Sequence, residues 1–354
     1  MADAAAEIAR RVTEAAQRGA NLCVRGGGTK DFYGNPARGE PLDTRAHQGI
    51  ANYEPSELVV TARCGTPLAD LERVLGEKGQ MLPFEPPRFG VAATIGGCVA
   101  AGLSGPRRSS VGPLRDFVLG VRMVDGRGRL LTFGGQVMKN VAGYDVSRLM
   151  AGSLGTLGVV LEVSLKLLPL PRSERTLRLE LDEGRSIEMS NRWAGRALPI
   201  SASAWQAGVL AVRLSGAETA VTAAAQELGG EALDADEAAR FWQSIREHEA
   251  AFFEGDAPLW RIALPPATPP LGLAGESLIE WGGAQRWLRS LSDPRELRDA
   301  ARSAHGHATF FRAPNRTVDV FTPPDAQTLK LHRGLKAVFD PAGILNPGRL
   351  FRDL

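Results

Sequence analysis

The sequence predicts an α+β protein of two domains, on three observations. Glycine crowds into residues 19–160, where short apolar runs alternate with turns. The texture changes at "LPLPRSE", residues 168–174, whose two prolines interrupt strand pairing. Beyond it, strands and alanine-rich helices mix without the rhythm of a parallel sheet. A chain of 354 residues, 44% apolar, has room for two cores.

Taken in order, "MADAAAEIARRVTEAAQRGA" reads as an alanine-rich helix stopped at Gly19; Asp3, Glu7 and Glu14 are out of place in a secretory signal. "NLCVRGGG" and "ELVVTARCG" are short strands that run into glycine turns. "VLGVRMVDGRGRLLTFGG" is a hairpin signal centred on Asp125-Gly126. In residues 157–168, Val159, Leu161, Val163, Leu165 and Leu167 alternate with Glu162, Ser164 and Lys166, the mark of a half-buried strand. Further on, "TLRLELD", "VLAVRLS", "WRIALP" and "LIEWGG" read as strands. "AETAVTAAAQELGG" is a helix ending in glycines, and "DADEAARFWQSIREHEAAFFEG" a longer one whose acidic start suits the helix dipole. "TLKLHRGLKAVFDPAGILNPGRLF" is an amphipathic helix broken at Asp340-Pro341 and followed by an extended tail.

Several function classes fall away on composition. A net charge of +2 with no basic tail argues against nucleic acid. Cys23, Cys64 and Cys98 lack CxxC spacing, which argues against a disulfide scaffold, a zinc site or an iron–sulfur cluster in this chain and fits a reducing compartment. No apolar run of about 20 residues is present, so any membrane contact is expected to be peripheral or through a partner, with a cytoplasmic location.

Three glycine clusters carry the functional signal. Gly26, Gly27 and Gly28 follow an apolar stretch, a pattern that makes either a phosphate cradle of main-chain N–H groups or a plain tight turn. It has neither Walker nor Rossmann spacing. Residues 83–116 are rich in small side chains, including Thr94, Gly96, Gly97, Ser104 and Gly105; such a surface accepts a flat aromatic ligand or close helix–sheet packing equally well. Residues 139–160 crowd Gly152, Gly155 and Gly158 just before a strong strand.

In that order, "VRGGGTK", "ATIGG", "VGPLRDFVLGV", "KNVAGYD", "GSLGTLGVV" and "FDPAGILNPGRL" resemble the FAD-binding domain of the vanillyl-alcohol-oxidase/PCMH superfamily. "IEWGGAQRWL" and "GHATFFRAP" narrow the resemblance to the FAD-binding subunit of glycolate dehydrogenase (glycolate oxidase), the GlcE type. The resemblance implies a PCMH-type domain of two α+β subdomains over residues 1–170, an α+β cap with an antiparallel sheet over 171–313, and a segment 314–354 that returns to the first domain. It implies that Gly26, Gly27, Gly28 and Thr29 hold a pyrophosphate. Thr94, Gly96 and Gly97 lie along pyrophosphate and ribityl, Ser104 and Gly105 near the isoalloxazine, and Gly152, Gly155, Gly158 and Val159 against flavin or adenine. Asn346 and Arg349 close the site, with Arg25, Lys30, Pro86 and Asp145 as further contacts. The first loop has no histidine and no cysteine follows residue 98, so the FAD is expected to be non-covalent.

Oxidation of a 2-hydroxy acid calls for an arginine on the carboxylate and a base for the hydroxyl. His307 and Arg312 are the catalytic candidates, with Arg316 and Arg349 as further cations. His305 and His307 are two apart without a carboxylate partner, so no metal site is expected. Trp281 and Trp287 either wall a pocket or pack a core. The resemblance implies a second flavoprotein subunit and an iron–sulfur subunit as partners, with electrons moving toward quinone. The alternatives are a self-sufficient flavin dehydrogenase and a non-catalytic flavin-binding scaffold.

Overall fold

The computed structural model describes residues 4–135, 145–313 and 318–354. The chain divides into two compact units: residues 1–103, 113–170 and 323–354 form the first, and 104–112 with 171–322 the second. The first unit thus gives up a nine-residue excursion to the second and recovers the C-terminal helix and tail.

In chain order the first unit begins with α1 (Ala4–Arg18), β1 (Leu22–Arg25), β2 (Glu40–Asp43), β3 (Ile50–Glu54), β4 (Val59–Arg63), α2 (Leu68–Gly76), β5 (Gln80–Met81) and α3 (Ile95–Ala101). The excursion carries α4 (Arg108–Val111). Then follow β6 (Val118–Val124), β7 (Leu130–Gly134), α5 (Val146–Leu149), β8 (Val159–Lys166) and β9 (Leu168–Pro169). One subdomain is the parallel pair β1–β2 with α1 packed on it: Ala5, Ile8, Val12 and Ala15 recur at helical spacing and bury against Leu22, Leu42, Val124, Val159 and Leu161. The other is an antiparallel sheet of order β3-β4-β8-β6-β7. The hairpin expected at Asp125-Gly126 is β6–β7, closed by a longer loop in which the buried Asp125 carboxylate accepts from the N–H groups of Arg127 and Arg129. Strand β8 sits at the centre and is buried beyond the half expected: Ser164 is covered, its hydroxyl bonded to Thr61 across the ladder at 2.8 Å.

The second unit holds β10 (Ser173–Glu180), α6 (Glu183–Ala194), β11 (Ile200–Gln206), β12 (Val209–Gly216), α7 (Glu218–Leu228), β13 (Glu231–Ala232), α8 (Ala235–Glu247), β14 (Leu259–Ala263), β15 (Glu276–Glu280), β16 (Gln285–Arg289), α9 (Pro294–Ser303) and β17 (His307–Arg312). Its eight strands form one sheet of order β13-β10-β12-β11-β15-β16-β14-β17, antiparallel throughout. Helix α8 is shorter than its sequence suggested, because His248 takes a left-handed conformation (φ 57°) and ends it. Helix α10 (Ala326–Phe339) belongs to the first unit and ends at Asp340, as the following proline requires.

The tail after α10 is pinned by a buried ion pair. The Lys336 ammonium donates to the carbonyls of Thr156 (2.8 Å) and Leu345 (2.7 Å) and meets Asp340 at 2.7 Å. Asp340 is fully buried and also accepts from the N–H groups of Ile344 and Leu345. Burial holds the Lys336 amine below its ordinary pKa against the opposing pull of Asp340. Asp340→Ala leaves that buried cation without its counter-charge and two amides without their acceptor, so it should cost about 3–5 kcal/mol and lower the thermal midpoint of the first unit by roughly 6–20 °C, measured by calorimetry.

Candidate functional site

The three glycine clusters meet in the first unit. The loop after β1 packs on the segment before α3 so closely that a Cβ on Gly27 would stand 1.5 Å from the Ala92 carbonyl oxygen, and one on Gly26 would stand 2.4 Å from Thr94 Oγ1. Glycine is therefore imposed at Gly27 by backbone approach. Thr94 caps α3, its hydroxyl accepting from the Gly97 N–H at 3.3 Å. At the other end of α3, a Cβ on Gly102 would meet Gly152 N at 2.8 Å, while Gly152 and Leu154 donate to the carbonyls of Val99 and Ala100.

The tail completes the assembly. Leu345 bridges Leu22 in parallel; Leu22 N donates to Ile344 O at 2.8 Å, and Asn346 N to Leu22 O at 3.0 Å. The Asn346 side chain accepts from Val24 N (2.7 Å) and donates to Leu154 O (2.6 Å), which ties the first cluster to the third. Arg349 Nη1 donates to Asn35 O (2.7 Å) and Nη2 to Tyr33 O (2.7 Å), fastening the far side of the loop.

A groove opens between these parts. Of the residues expected to hold a cofactor, Arg25, Gly26, Gly27, Gly28, Thr29, Lys30, Thr94, Gly97, Asn346 and Arg349 line it. Among the described residues, no acceptor takes the main-chain N–H groups of Gly26, Gly27, Gly28 or Thr29. Successive amides of this kind in a part-buried concavity are the donor set an oxyanion of a pyrophosphate requires. Arg25 folds over Gly28, where a Cβ would stand 2.2 Å from its Nη2, and pairs with Asp31 (2.6 Å), while Thr29 and Lys30 both donate to the Arg88 carbonyl. Burial pushes the Cys64 and Cys98 thiols up to about 12 and also raises Cys23, so neither buried thiol is a nucleophile near neutral pH.

Other expected contacts are placed differently. Gly96 presses on Cys64, and Gly155 on the Asn346 amide. Gly158 packs on Met123 and Val124, and Val159 is buried in the core. Pro86 is buried away from the groove lining. Asp145 caps α5, accepting from Ser147 Oγ at 2.6 Å, and pairs with Arg148 at 2.8 Å. The remainder of "KNVAGYD" and Arg316 lie outside the described residues. Ser104 and Gly105 belong to the second unit, where the Gly105 carbonyl accepts from Trp281 Nε1 at 3.1 Å. Leu154 lines the groove with φ 52°, which no local sequence signal marks.

The catalytic candidates do not come together. His307 opens β17 and Arg312 ends it, about 17 Å apart at the rise of a strand. Trp287 proves to be a core residue: its Nε1 donates to the buried Glu280 at 2.6 Å, and its ring meets His248 edge-on at 4.6 Å. His248 stacks flat on Phe253 at 3.9 Å. Burial, with help from the Arg312 and Arg261 charges, holds this imidazole neutral, well below its ordinary pKa.

Residues 1–134 match the family model of the FAD binding domain, and residues 322–350 that of the FAD linked oxidases, C-terminal domain. The chain is 47% identical over 347 residues to glycolate oxidase subunit GlcE of Escherichia coli (strain K12), covering 98% of this chain and 97% of that protein. It is 34% identical over 173 residues to glycolate oxidase subunit GlcD of Bacillus subtilis (strain 168), covering 48% of this chain and 37% of that one. In fold it resembles p-cresol methylhydroxylase, with a TM-score of 0.67 or better shared by that structure and alkyldihydroxyacetonephosphate synthase; the former scores 0.75 at 14% identity over 99% of this chain and 87% of that one.

Two outcomes are expected. Gly27→Ala forces the loop off Ala92 and should raise the Kd for FAD at least 100-fold, read from the visible absorbance retained after desalting. The neutral His248 makes the denatured chain take up a proton that the folded chain refuses, so its contribution is complete above about pH 6.5 and is lost as pH falls below that value. Urea unfolding at pH 7 and pH 5.5 should therefore lose up to about 1.4 kcal/mol per pH unit from this group, and His248→Phe should remove that component.

Proposed function

Because the chain belongs to the family of glycolate oxidase subunit GlcE, we propose that it is the FAD-carrying subunit of a complex that oxidises glycolate to glyoxylate. The observation that carries this reading is the meeting of three glycine clusters and the tail around unengaged main-chain amides. The amides of Gly26, Gly27, Gly28 and Thr29 hold the pyrophosphate of a non-covalent FAD, with Thr94 and Gly97 alongside and Asn346 keeping the loop in place. When bound, FAD supplies a two-electron acceptor for the hydride leaving the hydroxy-acid carbon. Asn346 and Arg349 keep the loop amides aimed into the groove so that binding needs little rearrangement.

A second flavoprotein subunit and an iron–sulfur subunit complete the complex in this reading. GlcD of B. subtilis, named a glycolate oxidase subunit, shares about half of this chain, which fits two related flavin domains in one assembly. Three cysteines, two of them buried, are too few to hold a four-thiolate cluster, so one-electron transfer toward quinone falls to a partner. No described helix is long and apolar enough to cross a membrane.

The purified chain should be yellow and release FAD on acid treatment. Native co-purification should bring an iron–sulfur protein and a second flavoprotein with it. A folded, colourless preparation that takes up no added FAD would overturn the assignment, as would an active complex without this chain.

A further inference from the structure

The outer four strands of the second unit sort their side chains by face. Trp260, Ile262, Leu264, Leu288, Ala308 and Phe310 point to one side and bury against Leu297 and Ala301 of α9. Alternation puts Arg261 of β14, Gln285 and Trp287 of β16, His307 and Thr309 of β17 and Glu280 of β15 on the other. On this second face the groups are linked in order. Buried Glu280 Oε2 accepts from Trp287 Nε1 (2.6 Å) and Gln285 Nε2 (2.9 Å), and Gln285 Oε1 accepts from Arg261 Nε at 2.6 Å. The guanidinium is thus held by its inner edge. Among the described residues, its Nη1 and Nη2 donate to no protein acceptor.

Two cations share one indole here. Arg261 Cζ lies 5.4 Å and Arg108 Cζ 4.4 Å from the Trp281 ring centroid. Thr309 is directly across from Arg261, and His307 is its diagonal neighbour at a Cβ separation of roughly 7–8 Å. Partial burial and the Arg261 charge both hold the His307 imidazole below its ordinary pKa, so it is neutral near pH 7. A planar cation fixed at Nε, with its outer edge unengaged and a neutral imidazole beside it, suits a carboxylate that carries a neighbouring hydroxyl.

We propose that Arg261, positioned by Gln285 and flanked by His307, is the carboxylate subsite for a small 2-hydroxy acid in this chain. The inference rests on membership of a glycolate-oxidising complex and goes beyond it by naming the residue in this subunit that takes the substrate carboxylate.

The test uses the full-length, FAD-loaded chain and calorimetric titration with glycolate and with oxalate, a non-reacting two-carbon carboxylate; inorganic phosphate distinguishes a general anion site. Oxalate should bind, and phosphate should bind at least tenfold more weakly. Arg261→Gln should weaken oxalate at least tenfold, and Arg261→Lys, which keeps the charge but loses the fork, by a smaller factor. Gln285→Leu should weaken it while leaving the bound-flavin spectrum unchanged. In the assembled complex, Arg261→Gln should raise the KM for glycolate more than it lowers kcat. The proposal fails if the wild-type chain binds no carboxylate, if phosphate binds as tightly as oxalate, or if folded Arg261→Gln and Arg261→Lys chains both bind like wild type. Unaltered glycolate kinetics in an Arg261→Gln complex would remove the subsite and leave the complex assignment standing. A complex with no glycolate oxidation at all would remove the assignment itself.

Discussion

The candidate cofactor site depends on one backbone relationship: three residues near the C-terminus lie beside β1 and form a single parallel bridge to it. Ile344 accepts from Leu22, Asn346 donates back to Leu22, and the Asn346 side chain spans from Val24 to Leu154. These bonds fix where β1 ends, and the end of β1 fixes where the loop of Gly26–Gly28 begins. The amide side chain is suited to the position because it presents an acceptor and a donor at once, to an N–H on one side and a carbonyl on the other. The bonds close a contact across more than 300 residues of sequence, so the groove forms only when both ends of the chain have folded together.

What holds the tail there is electrostatics under cover. Lys336 and Asp340 sit one turn apart at the end of α10, and each satisfies main-chain groups as well as its partner. A buried pair of this kind is a poor source of net stability, since desolvation offsets most of the attraction. Its effect is to specify: only one path of the tail brings Thr156, Ile344 and Leu345 within reach of both charges. The apolar contribution comes instead from α1, whose buried stripe reaches Ile344 and Leu345 as well as β1 and β2.

The sequence disclosed these two features unequally. Helix α1, hairpin β6–β7 and helix α10 were legible because periodicity, turn residues and a helix-ending proline are local signals. The cradle was legible because glycine is required where backbones touch, as at Gly27 against Ala92. The roles of Gly158 and Val159 were not, since a glycine that admits Met123 to a core looks the same in sequence as one that admits a ligand. Strands β11 and β16 carry weak local signals: the alternating apolar residues of "ISASAWQ" are mostly alanines, and "QRWLR" is short and mostly polar. Both are interior strands of the sheet, and their polar side chains are satisfied by partners that sequence does not place nearby, as Arg213 Nε is by Ser201 Oγ and Arg261 Nε by Gln285 Oε1.

The same limit on local signals makes His307 and Arg312 stand out in the sequence and hides Arg261. A histidine and an arginine on one short segment attract notice, yet a strand that carries them at its two ends keeps them apart by its own length. Arg261 is flanked in sequence by Trp260 and Ile262, whose apolar character makes the segment look like simple core. Pairing reverses the picture, since alternation buries Trp260 and Ile262 against α9 and turns Arg261 to the face where Gln285 and Glu280 wait. The burial of Glu280 beneath Gln285 then has a consequence. A carboxylate that paired directly with Arg261 would neutralise it, whereas an interposed amide fixes the guanidinium and leaves its charge available.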